Sequence, residues 1–454
     1  SALAPGTSEH IEITTSRSDF LSSSIIMEIE IDIRPSDFQL FLEQDDKTLE
    51  KAYTQDIQET INITLDYFDT ANSSWIPNAN VTLAGLPGED VTLTEEDSMY
   101  NYTLDTSDLG VGKHSLTLSA EGTFSEKIRI IIKITVQKRD SDWLLYLEDD
   151  DKTVEREIQI TARELLNISL RYTELGETSS ITGASVVVQG LPGGDLPLGL
   201  LNNFYQTNYD TDNLDVGTHT LSIVATSSDY RQQTVSFDVV VVARSTDYQL
   251  FIEGDDKTAV RSGEAVYNTD INISIGYYDT TSTPTLVSGA TVNIQHALLG
   301  TESFTLSNNL YQYSLDTSDL AIGTHTLLIT ASVSDFESQS LLITFKVTNR
   351  TTTFELWLNE ENKTLTKSVN APKETAVNVS FFYFDELLEN HLDFATVSLT
   401  GAGLDGVGMT LENGFFQYSL DTSDLAIGNH QVTATARANN YTVKTIQFTL
   451  SVAR

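Results

Sequence analysis

The sequence predicts an all-β fold, a tandem array of seven-stranded β-sandwiches, and three observations support this prediction. Apolar residues such as Ile61, Ile63 and Leu65 alternate with polar ones, which is typical of strands with one buried face. Turn sequences such as Leu86-Pro87-Gly88 separate the alternating segments. Several short motifs recur about every 105 residues along the chain of 454 residues. No helix longer than a turn or two is expected.

The recurring motifs define four complete repeats. Asp-Asp-Lys-Thr begins at Asp45, Asp150 and Asp255, and its fourth copy has become Glu361-Asn362-Lys363-Thr364. A second motif, Asp-Thr-Ser-Asp-Leu, begins at positions 105, 316 and 421 and is altered at 210–214. We place repeats 1 to 4 at residues 35–139, 140–244, 245–350 and 351–454.

Residues 1–34 read as the C-terminal strands of an incomplete repeat. Their pattern follows that of residues 323–347 with one or two residues inserted. Either the chain was cut from a longer array, or a neighbouring molecule supplies the missing strands. We favour the cut, because Arg454 falls on the same repeat boundary as the arginines at 34, 139, 244 and 350. The full-length array is therefore expected to be longer than this chain.

Each repeat is expected to contain about seven short strands in roughly 100 residues, which indicates a two-sheet sandwich. In repeat 1 the alternation places them near 37–43, 58–68, 79–84, 90–94, 99–104, 113–120 and 127–137.

The most regular segments resemble a known family. The runs 313–320 and 323–327 look like strands E and F of immunoglobulin-like domains, and 287–292 resembles the entry to their third strand. Such domains occur in tandem on prokaryotic, and especially archaeal, cell-surface and surface-layer proteins. The resemblance implies that His114, His219, His325 and His430 take the place of the Tyr that often opens strand F. It covers nearly the whole chain and specifies a fold much better than a function.

Composition excludes several classes of function. The chain has 65 acidic and 26 basic residues, a formal net charge of -39, and no Cys. Electrostatic capture of nucleic acid or of an anionic membrane is excluded by this charge. Disulfide scaffolds, thiolate zinc sites and cysteine nucleophiles are excluded as well. No apolar run approaches the ~20 residues of a transmembrane helix, so no direct membrane insertion by this segment is expected.

No catalytic residue is predicted, and we expect the chain not to be an enzyme. The motifs H-E-x-x-H and G-x-S-x-G and the P-loop are missing from the sequence. In the strand alternation, the four repeated histidines fall on the same side as core positions such as Leu116 and Leu118. We therefore expect them to pack at the rim of the core.

Two carboxylate-rich turns per repeat form a candidate calcium site. Calcium binds several carboxylate and carbonyl oxygens, and these turns could converge near one end of a sandwich. The alternative is that the side chains accept backbone N–H groups and fix the turns; loose screening by divalent cations is then the expected effect. The candidate ligands are Asp45, Asp46, Asp105, Asp108, Asp150, Asp151, Asp210, Asp212, Asp255 and Asp256. No cofactor is predicted, and calcium is the one ion that these turns could bind.

An arginine marks every repeat junction: Arg34, Arg139, Arg244 and Arg350. An acidic residue stands three positions later at the first three junctions (Asp37, Asp142 and Asp247), and Thr353 breaks the pattern at the fourth. One hypothesis is a clamp that binds carboxylates of the adjacent domain, and the other is an exposed ion pair of little value. Repetition favours the clamp. No Gly-rich or Pro-rich linker separates the repeats, which predicts a semi-rigid rod.

Ten sequons for N-glycosylation occur in the chain. Those at Asn62, Asn167, Asn272 and Asn378 share one strand position, and alternation points them outward. The alternative is that outward strand positions simply favour polar residues. The ten candidates are Asn62, Asn72, Asn80, Asn101, Asn167, Asn272, Asn349, Asn362, Asn378 and Asn440.

The sequence predicts a non-enzymatic extracellular structural protein, a semi-rigid rod in a cell-surface layer, stalk or filament. Self-assembly or contact with other cell-surface proteins is expected, with N-glycans as possible attachments. The alternative is an adhesin that binds a glycan or a protein through one or more repeats. Apolar segments at 75–76, 196–201 and 387–392 are either exposed binding patches or parts of the core.

Overall fold

The computed structural model describes residues 7–454, and the described chain is all-β with three short 3-10 turns. Residues 1–6 of the predicted incomplete repeat lie outside the described residues. The structure separates into two compact units, one ending at Val241 and one comprising Val242–Arg454. Each unit is described by itself.

The chain begins with an antiparallel hairpin of β1 (Ser8–Arg17) and β2 (Phe20–Glu30). Ile11 lies opposite Met27, and Ile13 lies opposite Ile25, so one face of the hairpin is apolar. These four side chains are 43–69% exposed. A two-stranded hairpin alone is marginally stable, and within the described residues no third strand pairs with it.

Repeat 1 folds as a sandwich of two sheets. One sheet has the order β10-β11-β6-β3-β4 with β7 on β6, and the other has the order β5-β13-β12-β8-β9. Its strands are β3 (Ser36–Leu42), β4 (Asp45–Asp46), β5 (Ala52–Asp56), β6 (Thr60–Asp69), β7 (Ser74–Trp75), β8 (Asn80–Ala84), β9 (Val91–Thr92), β10 (Thr94–Glu96), β11 (Met99–Asp105), β12 (Gly112–Glu121) and β13 (Ile128–Gln137), with a 3-10 turn at Thr106–Asp108.

The predicted tandem array of two-sheet β-sandwiches is confirmed, but repeat 1 has eleven strands where about seven were expected. The single strand expected near 90–94 is two short strands, β9 and β10, which belong to different sheets. The short strands β4 and β7 and the longer strand β5 were not predicted, and β5 pairs in parallel with β13.

Repeat 2 has the same two-sheet arrangement. Its strands are β14 (Ser141–Leu147), β15 (Asp150–Asp151), β16 (Glu157–Thr161), β17 (Leu165–Glu174), β18 (Ser185–Gln189), β19 (Leu196–Pro197), β20 (Gly199–Leu201), β21 (Phe204–Asp210), β22 (Gly217–Thr226) and β23 (Gln233–Val242), with a 3-10 turn at Thr211–Asn213.

Repeats 3 and 4 follow the same order. Repeat 3 contains β24 (Thr246–Ile252), β25 (Asp255–Asp256), β26 (Ser262–Val266), β27 (Asp270–Asp279), β28 (Thr285–Leu286), β29 (Thr291–His296), β30 (Gly300–Ser303), β31 (Thr305–Ser307), β32 (Leu310–Asp316), β33 (Gly323–Ser332) and β34 (Gln339–Thr348), with a 3-10 turn at Thr317–Asp319. Repeat 4 contains β35 (Thr352–Leu358), β36 (Glu361–Asn362), β37 (Ser368–Pro372), β38 (Ala376–Asp385), β39 (Thr396–Gly401), β40 (Leu404–Gly408), β41 (Thr410–Glu412), β42 (Phe415–Asp421), β43 (Gly428–Arg437) and β44 (Lys444–Ala453).

Every repeat buries a hydrophobic core between its own two sheets. The buried clusters extend over residues 40–136, 145–241, 250–347 and 356–452. In repeat 1, for example, Ile63 on β6 and Leu116 on β12 are fully buried in one cluster. Because no cluster spans two repeats, each sandwich has the apolar contacts that it needs for its own stability.

Candidate functional site: the repeat junctions

Arg350 lies between repeats 3 and 4 and bonds to both. Its Nε donates to Asp385 Oδ2 of repeat 4 at 2.5 Å. One terminal nitrogen of its guanidinium donates to the carbonyl oxygens of Tyr267 and Asn268 of repeat 3, each at 3.1 Å. The Arg350 side chain is 2% exposed and that of Asp385 is 1% exposed. This is a buried ion pair that joins two domains.

Burial raises the pKa of Asp385, but hydrogen bonds oppose this effect. The bonds come from Arg350 Nε and from the N–H groups of Leu388 and Leu387. Their sum is larger than the effect of burial, so the pKa of Asp385 lies below its ordinary value. The carboxylate is therefore held in its charged form next to Arg350.

Arg139 makes the corresponding contacts between repeats 1 and 2. It forms a close ion pair with Glu174 of repeat 2 and lies 3.9 Å from Glu59 of repeat 1. The neighbouring Gln58 accepts from Arg139 at 3.3 Å and donates through Nε2 to Asp229 Oδ2 of repeat 2 at 2.8 Å. The Arg139 side chain is 24% exposed, so the junction is more hydrated than that of Arg350.

The remaining two junction arginines bind a carboxylate of the repeat that follows them. Arg244 Nε donates to Asp279 Oδ2 at 2.8 Å, and the Arg244 side chain is 15% exposed. Arg34 lies 3.9 Å from Asp69, and its side chain is 56% exposed. The four arginines thus form a series from a solvated contact to a buried one.

The acidic residues three positions after the junction arginines are not their partners. Asp37 accepts instead from the backbone N–H of the next residue, at 2.9 Å, as Asp142 and Asp247 do at 2.8 Å. The actual partners lie 35 residues after each arginine, at Asp69, Glu174, Asp279 and Asp385. An acidic residue at this fixed offset in all four repeats is the signal that could have identified them.

Backbone bonds hold each junction as well. Arg350 N donates to Asn440 O at 3.0 Å, and Thr442 N donates to Arg350 O at 2.8 Å, so the junction residue pairs with the bend between the last two strands of repeat 4. Equivalent parallel bridges join Arg34 to Ser125, Arg139 to Tyr230 and Arg244 to Phe336.

The candidate calcium ligands are exposed and take part in turns. Asp46 Oδ1 accepts from Thr48 N at 2.9 Å, and Thr48 Oγ1 accepts from Leu40 N at 2.9 Å. Asp151 and Asp256 make the same bond to Thr153 and Thr258. Among residues 7–454, no three His, Asp or Glu side chains lie close enough together to hold a metal ion. Asp45, Asp108, Asp150, Asp212 and Asp255 are exposed on the same turns.

The second motif is built around a buried threonine. Thr106 is 0% exposed; its Oγ1 donates to Glu59 O at 2.7 Å and accepts from Glu59 N at 3.0 Å. Asp105 Oδ1 accepts from Ser107 N at 2.8 Å, and Asp210 accepts likewise from Asp212 N. The carboxylates of Asp105 and Asp210 therefore accept backbone N–H groups within their own turns.

The four histidines lie at the rim of the core, as expected. Each ring Nε2 is bonded to the carbonyl oxygen four residues earlier, at 2.9 Å for His114, 2.7 Å for His219, 2.6 Å for His325 and 2.7 Å for His430. The ring therefore closes the corner before β12 and its equivalents.

All ten candidate glycosylation asparagines are exposed or half-buried. Asn62, Asn72, Asn80, Asn272, Asn349 and Asn362 are exposed, and Asn101, Asn167, Asn378 and Asn440 are half-buried. Asn167 Nδ2 donates to Asn208 Oδ1 at 3.0 Å, so this amide competes with a cross-strand bond. The glycosylation sites stay a prediction.

The apolar candidate patches are divided between core and surface. Ile76, Leu198 and Leu392 are buried, whereas Leu201 and Leu387 are largely exposed. In two of the segments a pair of consecutive leucines is exposed: Leu200 with Leu201, and Leu387 with Leu388.

Comparisons with known proteins give weak matches. No protein-family model matches the chain, and no curated protein matches its sequence. Among solved structures, a Ca2+-stabilised adhesin that helps an Antarctic bacterium bind ice is 14% identical, with a TM-score of 0.26 over 89% of this chain and 97% of that one. The ICAM-5 D1–D4 ectodomain fragment is 12% identical, with a TM-score of 0.30 over 92% of this chain and 100% of that one. Protocadherin gammaB7 EC3-6 is 11% identical, with a TM-score of 0.28 over 92% of this chain and 100% of that one.

Matches at these TM-scores assign neither a family nor a role. Separately, within the described chain there is no helix of the length and apolarity that a membrane span requires.

Proposed function

We propose that the chain is a non-enzymatic extracellular structural protein, in which the repeats form a semi-rigid rod of a cell-surface layer, stalk or filament. The observation that supports this most strongly is the contact of Arg350 with both of its neighbouring repeats. A protein that only tethered independent domains would have no need for a buried ion pair at a junction, because isolating two charges from water is costly.

The short connections support the same proposal. Three residues separate β34 from β35, and three separate β13 from β14. A connection of this length leaves little room for rotation, and the junction arginine then fixes the remaining orientation. Repeat boundaries at residues 34, 139, 244 and 350 are part of this proposal.

The exterior suits an extracellular location. A net charge of -39 opposes aggregation by mutual repulsion. Glycans at the outward asparagines would extend this protection, and glycopeptide mass analysis of native material tests their presence. Sugar on Asn62, Asn167, Asn272 and Asn378 is the expected result; bare asparagines at all four positions would refute it.

Small-angle X-ray scattering tests the rod. We expect a maximum dimension of about 160 Å for four repeats, taking roughly 40 Å for each sandwich. The Arg139→Ala/Arg350→Ala variant should give a more compact and more variable particle, because its junctions lose their side-chain bonds. A wild-type profile already typical of freely jointed domains would refute the proposal.

In this proposal calcium acts as a loosely bound counter-ion of the exposed carboxylates. Their bonds within the turns favour this role over a fixed site. Calcium and magnesium at equal ionic strength should then shift the melting temperature equally. A shift specific to calcium and removed by Asp46→Ala would support a fixed site instead.

A second candidate function is adhesion through one repeat. It is favoured by a groove in repeat 1 that is lined by Lys47, Lys113 and Lys133, in a chain that is otherwise strongly acidic. We call it the lysine groove.

A further inference from the structure

The lysine groove is an open cleft of about 680 Å³ on repeat 1. It is bounded by the turn after β4 and by strands β5, β13 and β12. Besides the three lysines, its lining includes the hydroxyl groups of Thr54, Ser115 and Thr135. Its lining residues include no acidic side chain, although Glu50 is paired with Lys47 at its edge.

Sheet register brings two of the lysines together. Lys113 lies opposite Thr135 in the pairing of β12 with β13, and Lys133 lies opposite Ser115. The two lysines are diagonal neighbours on one face, and the geometry of antiparallel sheets places their Cα atoms about 7–8 Å apart. On the other side of β13, Lys133 pairs with Ala52, whose small side chain leaves the floor of the groove open.

These two lysines have no charge partner. Among residues 7–454, neither Lys113 nor Lys133 is within 4.0 Å of a carboxylate oxygen, whereas Lys47 Nζ is paired with Glu50 Oε2 at 2.9 Å. Two ammonium groups on neighbouring positions of one sheet face repel each other. The chain has 65 acidic residues, yet these two adjacent ammonium groups have no carboxylate beside them. An anionic ligand bound between them would supply the missing negative charge.

The corresponding grooves of repeats 2 and 3 differ in charge. The groove of repeat 2, about 670 Å³, is lined by Lys152 and four acidic residues: Glu148, Asp150, Glu155 and Glu157. That of repeat 3, about 490 Å³, contains two lysines and three acidic residues, and its Lys346 is paired with Glu264 at 3.0 Å. The cleft therefore recurs in repeats 2 and 3, and among these three clefts only that of repeat 1 is lined by more lysines than acidic residues.

We propose that the lysine groove binds an acidic saccharide, a sugar chain that carries carboxylate or sulfate groups. Ammonium groups would bind the anionic groups, and the threonine and serine hydroxyls would bond to sugar hydroxyls. The mixed lining suits a ligand that offers both kinds of group on each unit better than it suits an acidic peptide, whose remaining polar groups are in its backbone. The inference rests on the adhesive candidate above and does not depend on the rod.

The long-range field of the protein does not prevent this binding. The net charge repels anions, but at physiological ionic strength charges beyond about 8 Å are largely screened. The lysines that line the groove therefore dominate the interaction with a bound anionic group. Affinity should fall steeply with added salt, because the contacts are solvent-exposed ion pairs.

Binding of defined oligomers to the full chain, measured by calorimetry at physiological ionic strength, tests the proposal. The probes are an oligogalacturonate, a heparin-derived oligosaccharide of the same length, neutral maltohexaose and hexaglutamate. We expect binding of at least one acidic saccharide, with maltohexaose inactive and hexaglutamate at least tenfold weaker. The first two probes distinguish carboxylate from sulfate as the preferred group.

The Lys113→Glu/Lys133→Glu variant should lower the affinity for the acidic saccharide at least tenfold. Its matched control is Lys127→Glu/Lys346→Glu, which changes the net charge equally at exposed positions outside the groove and should bind as the wild type does. All four lysines lie on the surface, so both variants should fold as the wild type does, and thermal unfolding checks this.

Three results would overturn the proposal: no binding of either acidic saccharide by the wild type, equal binding of hexaglutamate, or equal loss of affinity in the control variant. The scattering profile of the Lys113→Glu/Lys133→Glu variant should equal that of the wild type. A failure of the rod proposal is thereby distinguished from a failure of this one.

Discussion

Replacing Arg350 by Ala should destabilise repeat 4 far more than the same change at Arg34. Asp385 is 1% exposed, and without Arg350 its charge would be buried with only two backbone N–H groups as partners. Breaking a buried ion pair in this way costs about 3–5 kcal/mol. Arg34 is 56% exposed and lies 3.9 Å from Asp69, so its removal should cost about 0–1 kcal/mol.

Hydrogen exchange followed by mass spectrometry across a urea series is the assay. It reports the opening free energy of each repeat separately, which a single melting curve of a multi-domain chain cannot do. Protection of β38 and β44 should fall in Arg350→Ala, whereas β6 and β13 should be nearly unchanged in Arg34→Ala. The double change Arg350→Met/Asp385→Leu should restore much of the stability, because the orphaned charge is then removed.

A cost below about 1 kcal/mol for Arg350→Ala would refute the reasoning, since it would mean that water reaches Asp385 when the guanidinium is removed. A loss in the Arg350→Met/Asp385→Leu variant as large as that in Arg350→Ala would also count against it. In that case shape, rather than an unpaired charge, would account for the effect.

Three further outcomes are expected. Thr106→Val should lower the stability of repeat 1 by about 1–3 kcal/mol, because the N–H group of Glu59 loses its acceptor. Thr106→Ser keeps the hydroxyl group and should cost less; hydrogen exchange of β6 measures both changes. Tyr205→Phe should cost repeat 2 a similar amount, because its hydroxyl bond to Ile181 O is removed. Repeat 4 already has Phe416 at this position and should gain little stability from Phe416→Tyr; hydrogen exchange of β21 and β42 measures the two changes. Because the pKa of Asp385 is lowered in the folded state, its charged form contributes fully to the stability of repeat 4 above about pH 4, and this contribution is lost as the pH falls through the folded-state pKa. Acid titration should therefore destabilise repeat 4, and Asp385→Asn should abolish that part of the pH dependence.

The strands with one buried face could be predicted well from the sequence, because period-two alternation reports directly on burial. Strand β5 could not, since residues 52–56 are nearly all half-buried and show no alternation. It is a strand because it lies beside β13, a long-range contact that local sequence does not contain.

The functional positions show the same limit. The junction arginines were visible as a repeat, but their partners depend on the pairing of β35 with β38, which places Asp385 opposite Thr352 and so beside Arg350. The lysine groove joins positions 47, 113 and 133, which only the register of β5, β12 and β13 brings together. The sequence therefore indicated the junction arginines but not their partners, and it did not indicate the groove.

The parallel pairing of β5 with β13 has a mechanical consequence. Five residue pairs, from Lys133 opposite Ala52 to Gln137 opposite Asp56, join a strand near the start of the repeat to its last strand, and β26–β34 and β37–β44 are paired in the same way. Tension on the two ends of a repeat would pull these parallel strands in opposite directions along their length. Their hydrogen bonds would then share the force, whereas a hairpin pulled open at its ends loses one bond at a time. Each repeat would keep its length until the strands slip together, so a chain of such repeats would extend in steps and absorb a sudden pull one sandwich at a time.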